Sequence, residues 1–165
     1  MLAQNLDQLN AIRDECKAMV TRRAGLSAGA AVLPIPGVDI GADVSLLLEM
    51  IPAINQKFGL TPEQIEQLPL QLKKITVVAV TSVGSEMVGK LVTKHVLIQV
   101  LKKVGVRVTT KAFVKFIPIL GQAVAASISF GAMKMVGNAH VEDCYTVVRN
   151  TQLARQALAS EPADA

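Results

Sequence analysis

His140 and Cys144 stand four residues apart, a spacing that puts both side chains on one face of a helix, and His95 and Cys16 are the chain's other imidazole and thiol. Imidazole and thiolate are the ligands of four-coordinate zinc, so these four residues are the candidate metal set. Only the first pair has a spacing that points to a shared site. The simpler reading makes Cys16 and Cys144 small buried hydrophobes with reduced thiols and the two histidines partly exposed side chains. The sequence favours that reading, and neither a metal nor a cofactor is expected.

The stretch Gly84-Ser85-Glu86-Met87-Val88-Gly89-Lys90-Leu91 has the spacing of a phosphate-binding loop up to its lysine. Such a loop needs Ser or Thr after the lysine to hold magnesium, and Leu91 has no oxygen to offer. It also needs a sheet behind it and a metal-binding Asp on another strand, and the sequence supplies neither. A helix notched by two glycines, which allow close helix contact, is the expectation here. Asp39 and Asp43, again four apart, lie in an apolar helix start; Asp39 reads as a cap or first-turn acid complementing the helix dipole. No Ser/His/Asp or Cys/His set has supporting local context. The chain is therefore read as non-enzymatic.

Charge gives the stronger functional signal. Between Lys73 and Lys134 ten basic residues face the single acid Glu86, so this middle segment carries +9 while the flanks carry −3 and −2 within a total of +4. Lys90, Lys94, Lys102, Lys103, Arg107, Lys111 and Lys115 are its candidate contacts with an anionic surface. Lys90 with Lys94, and Lys111 with Lys115, are helical neighbours that repel mildly. An anionic membrane attracts each such residue by about 1 kcal/mol near its surface. A solvated lysine face that keeps an apolar protein in solution, and an acidic protein partner or the chain's own acidic ends, are the competing readings. Nucleic acid is not expected, because aromatics are 3% of the chain and no stacking platform or recognised motif is present.

These residues must be held by helices. The chain has 165 residues, of which 51% are hydrophobic, mostly Ala, Val, Leu and Ile, with no Trp. That composition suits close-packed helices. Leu6, Leu9, Ile12, Cys16, Met19 and Val20 recur at helical steps within 2–23, and Ala24 to Leu33 continues the run. Pro34, Pro36 and Gly37 then break it, and Pro118 with Gly121 break a second apolar run in the same way. The two breaks align Pro34 with Pro118, Gly37 with Gly121 and Ser45 with Ser129, by duplication or by convergence on one steric solution. Gly59 closes the helix that follows Asp39, and Thr61-Pro62-Glu63-Gln64 opens the next with a cap, a first-position proline and a capping-box glutamine.

Residues 70–104 read as one long helix or two collinear ones, weakened at Gly84 and Gly89, with Ile75 to Val80 as an alternative short strand. A helix over 122–136, a break at Gly137-Asn138 and a last helix from Ala139 to about Leu158 follow, and 160–165 reads as a frayed tail. The whole predicts an all-α bundle of about six to eight helices, built on two apolar hairpins and occupying 1–159 as a single domain. Mean hydropathy is +0.41, yet the uncharged windows Ala24 to Val38 and Phe116 to Met133 both contain proline and neither makes a clean span. The N-terminus has neither secretory nor transit character, so a cytoplasmic chain, peripheral to the inner face of a membrane, is expected. An integral protein whose hairpins insert without crossing, as a pore or transport accessory, is the alternative.

Leu33-Pro-Ile-Pro-Gly-Val-Asp-Ile-Gly-Ala-Asp-Val-Ser-Leu-Leu, the Phe58-Gly59-Leu60 helix ending and Phe116-Ile-Pro-Ile-Leu-Gly-Gln-Ala-Val-Ala-Ala-Ser-Ile-Ser-Phe-Gly together resemble the C-terminal helical domain of the immunity-related GTPases. They are also similar to bacterial helical families, including EcsC-like proteins and membrane-associated domains of unknown function. The resemblance covers roughly 24–136. It implies an all-helical domain that packs against a nucleotide-binding domain and contributes to self-association and membrane engagement. The nucleotide-binding domain itself is absent from these residues, so no GTP hydrolysis is inherited. The function this implies is a helical module that associates with an anionic membrane surface, with a protein partner such as a separately encoded GTPase, or with itself as a homo-oligomer.

Overall fold

The computed structural model describes residues 2–30, 38–102 and 121–160. The proline breaks at Pro34, Pro36, Gly37 and Pro118 lie outside the described residues, as do Lys103, Arg107, Lys111, Lys115 and the tail 161–165. Among the described residues the regular structure is all helix, with no strand. Five helices are bounded within it: α1 (Leu6–Ala30), α2 (Val38–Phe58), α3 (Pro62–Glu66), α4 (Leu70–Val83) and α5 (Gly121–Ser160). Residues 94–102 are helical as well.

Each helix follows from its apolar stripe and its ends. In α1, Leu9, Cys16, Val20 and Ala24 are buried, the spacing of one helix face, while Leu6, the first residue of the helix, is half exposed. Gly59 ends α2 in the left-handed region with φ 75°. Its amide donates to the Gln56 carbonyl and the Leu60 amide to that of Asn55, the paired bonds of a Schellman ending. The Thr61 hydroxyl accepts from the Gln64 amide, and the Gln64 side chain accepts from the Thr61 amide, so the capping box stands as read, with Pro62 in the first turn.

Three expectations are corrected. α4 ends at Val83, because Gly84 takes φ 67° and donates its amide to the Thr81 carbonyl. Residues 84–93 are non-helical, so the collinear helix expected over 70–104 is interrupted rather than weakened. Ile75 to Val80 lies within α4, which removes the strand alternative. Gly137 breaks nothing: α5 runs unbroken for 40 residues. A Cβ at Gly137 would lie 2.7 and 2.8 Å from the Val20 methyls and 2.9 Å from Met50 Cε. Glycine there permits close approach of helices, not a turn.

The chain divides into two compact units. The first takes Met1–Cys16, Pro52–Leu91 and His140–Ala165, the second Lys17–Ile51 and Val92–Ala139. The first buries Leu9, Ile54, Phe58, Leu60, Val88, Val141, Val147 and Val148. Arg13 makes a two-pronged ion pair with Glu142 at 2.7 Å and lies over the Tyr145 ring, and Lys57 pairs with Glu15. The second unit buries Val20, Leu47, Met50, Ile51, Leu97, Met133 and Val136 and carries the Arg23 to Glu49 ion pair at 3.2 Å.

Candidate functional site

The apolar register of α2 places Leu47, Ile51, Ile54, Asn55 and Phe58 in the interior, and one of these is an amide. Asn55 is 2% exposed. On α5 the register Met133, Val136, His140, Cys144, Val147 and Thr151 likewise carries polar side chains inward. Both stripes belong to helices whose other core positions are mostly apolar, so each buried polar group needs a partner or loses about 1–3 kcal/mol.

They find one another within the first unit. Asn55 Nδ2 donates to the Met87 carbonyl at 2.9 Å, which fixes its amide and turns Oδ1 toward α5. His140 Nε2 lies 3.0 Å from Oδ1, and the Cys144 thiol donates weakly to the same oxygen at 3.4 Å. An amide oxygen only accepts, so His140 carries its proton on Nε2. Cys144 Sγ is 3.6 Å from that nitrogen. His140 and Cys144 thus share a helix face as read, but His140 is fully buried, which corrects the expectation of a partly exposed histidine. Its partner lies 85 residues upstream.

The glycine-lysine stretch supplies the third side of this centre. Gly84 and Gly89 both take positive φ, 67° and 66°, and reverse the chain at either end of a loop in which Ser85, Met87 and Val88 are buried. The Met87 amide donates to Ser85 Oγ at 3.4 Å. A Cβ on Gly89 would meet Ile65 Cδ1 at 3.1 Å. A phosphate cradle turns successive amides toward a ligand; this loop turns its Met87 carbonyl and its apolar side chains into the protein. It is neither a cradle nor the notched helix expected from the sequence.

Next to this centre on α5, burial raises the pKa of the Asp143 carboxyl, and the Ser85 hydroxyl lowers it in part. Tyr145 donates to Asn10 Oδ1 at 3.0 Å. Burial pushes the Cys16 thiol up to about 11 and Cys144 well above the ordinary thiol value. Both are poor nucleophiles and poor metal ligands in this setting. His95 lies on the 94–102 helix, exposed and bonded to Gln99 at 2.9 Å. Among the described residues no group of three or more His, Cys, Asp or Glu is placed to hold a metal ion.

Of the candidate surface contacts, Lys90, Lys94 and Lys102 are exposed, Lys90 pairing with Glu86 at 3.5 Å. Gly121 is the first residue of α5, and Asp39 is the second residue of α2, its side chain lying outside what is described. No described helix is long and apolar enough to cross a membrane. Asn55 was missed by the sequence reading, although its signal was present: a polar residue in register with Leu47, Ile51 and Phe58 is a buried hydrogen-bonding group.

No family model matches the chain, and no solved structure does. Two curated proteins are similar to it, both named interferon-inducible GTPase 5. The one from Bos taurus is 27% identical over 130 residues and the one from Rattus norvegicus 26% over 130. In each case the match takes in 78% of this chain and 28% of the relative. The chain is thus distantly similar, over most of its length, to a little more than a quarter of a GTPase.

Proposed function

We propose that this chain is a non-enzymatic helical association module akin to the C-terminal helical domain of the immunity-related GTPases and to the EcsC-like bacterial helical families. It binds an anionic membrane surface from the cytoplasmic side or a protein partner such as a GTPase, and it self-associates. The observation that carries the reading is the 130-residue similarity to interferon-inducible GTPase 5. Two features agree with it. Asn55, His140 and Cys144 are 2% exposed or less, which suits a structural polar centre and denies a substrate access. Lys90, Lys94 and Lys102 stand in solvent, where an anionic surface can reach them.

Flotation with phosphatidylserine vesicles tests the membrane half. Co-flotation at low salt, lost at high salt and lost in the Lys90→Glu, Lys94→Glu, Lys102→Glu triple variant, is expected. Failure to float at low salt removes it. Retention in the membrane pellet through carbonate and high-salt washing would replace the peripheral module with the integral hairpin protein. A fluorescent GTP analogue should not bind; saturable binding would overturn the non-enzymatic reading.

A further inference from the structure

α4 is rich in Leu, Ile and Val, yet it buries little. Of its 14 residues only Thr76 and Ala79 are buried, while Leu70, Val77 and Val78 are 66, 47 and 68% exposed. Its open flank runs beside the last third of α5 as three clefts of about 330, 520 and 340 Å³. They are continuous. Pro69, Leu72 and Arg155 line both the first and the second, and Ile75 lines both the second and the third. At 1.5 Å per residue the groove is about 21 Å long, the length of a helix of about 14 residues.

Its walls are aliphatic, with Leu72, Ile75, Val78 and Leu158 foremost, and among the described residues its charged lining consists of Lys74 and Arg155, with no Asp or Glu. Among the described residues neither cation has an ion pair, whereas the neighbouring Lys73 is taken by Glu66. We propose that this groove receives an acidic amphipathic helix of a protein partner, with its apolar stripe on the aliphatic walls and its carboxylates on Lys74 and Arg155. A second copy of this chain offering the same face would set like charges together. The surface involves none of Lys90, Lys94 and Lys102 and does not rest on the function proposed above.

The test uses the full chain and two fluorescein-labelled synthetic helices, both with leucines at i, i+3, i+4 and i+7, one carrying glutamates beside that stripe and the other lysines. Anisotropy should show the glutamate helix binding roughly tenfold more tightly than the lysine helix, and the Lys74→Glu, Arg155→Glu variant should reverse the order. Val78→Asp should abolish binding with thermal unfolding unchanged, since Val78 is a surface residue. Equal affinity for the two helices, or binding of neither, overturns the proposal. So does a dimer in analytical ultracentrifugation that Val78→Asp dissolves, which would assign the groove to a second copy. A roughly tenfold gain in affinity on deleting 161–165 would overturn it in favour of the chain's own acidic tail.

Discussion

Replacing Asn55 with alanine takes away the donor to the Met87 carbonyl at 2.9 Å and the acceptor for His140 Nε2 at 3.0 Å and for the Cys144 thiol at 3.4 Å. His140 and Cys144 are fully buried and Met87 is 8% exposed, so water does not step in. Each buried partner left without its bond costs about 1–3 kcal/mol, and the thiol, a weak donor, adds little. Two such groups give a loss of about 3 kcal/mol, near the lower middle of that range doubled. With a urea slope of about 2 kcal/mol per molar, the unfolding midpoint should fall by about 1.5 M in far-ultraviolet circular dichroism. A double-mutant cycle isolates the cause. Asn55→Leu and His140→Leu each orphan a polar group, but together they replace the buried pair with apolar side chains, so the double variant should lose less than the sum by about 1 kcal/mol or more. A midpoint shift under about 0.3 M for Asn55→Ala, or strictly additive leucine variants, would refute the assignment of Asn55 as the pin of this centre.

The two glycines of α5 at 131 and 137 should respond in opposite directions to alanine. Gly131 has open space around its Cβ position and should gain about 0.5–1 kcal/mol in thermal or urea unfolding. Gly137→Ala should lose about 1–2 kcal/mol net, since displacing Val20 and Met50 outweighs the gain in helix propensity. Cys16 and Cys144, with thiols raised by burial, should resist a disulfide reagent at about pH 8 and both react once urea unfolds the chain; native labelling of either would contradict the buried placement. Asp143, whose carboxyl burial holds above its ordinary value, gives the reverse of the usual acid dependence. Its folded form binds the proton more readily than its unfolded form, so the ionised carboxylate is a penalty present at neutral pH and relieved as pH falls through the raised pKa. Asp143→Asn should therefore raise the urea midpoint at neutral pH, with the two proteins converging below about pH 4.

What could be read from the sequence was what depends on neighbours within one turn. Thr61, Pro62 and Gln64 specify their cap through contacts no more than three residues apart, and Gly59 ends α2 through bonds to residues 55 and 56. The all-helical class follows from periodicity in the same way. Glycines elsewhere were ambiguous because a glycine costs a helix only about 1 kcal/mol, less than distant packing can add or remove. At Gly137 the packing of Val20 and Met50 holds the helix straight through the position. At Gly84 the following residues gain more by turning inward, since the Met87 carbonyl meets an amide 32 residues away. Local reading thus expected the break at the wrong glycine of the two, and no window of the chain contains the deciding contact.

The same logic bears on how far the glycine-lysine stretch informs function. Its spacing imitates a nucleotide loop, and the chain's relatives are named as GTPases, so the two observations invite each other. They are independent. The relatives match this chain over 28% of their length, and within this chain the stretch is consumed in closing a polar centre: the Met87 carbonyl on Asn55, the Met87 amide on Ser85, Gly89 against Ile65. A loop whose carbonyl is already an interior acceptor cannot open toward a phosphate without orphaning Asn55, and through it His140. What remains available to a partner is therefore on the outside of the protein, where Lys90, Lys94 and Lys102 and the uncovered flank of α4 stand as two separately testable surfaces.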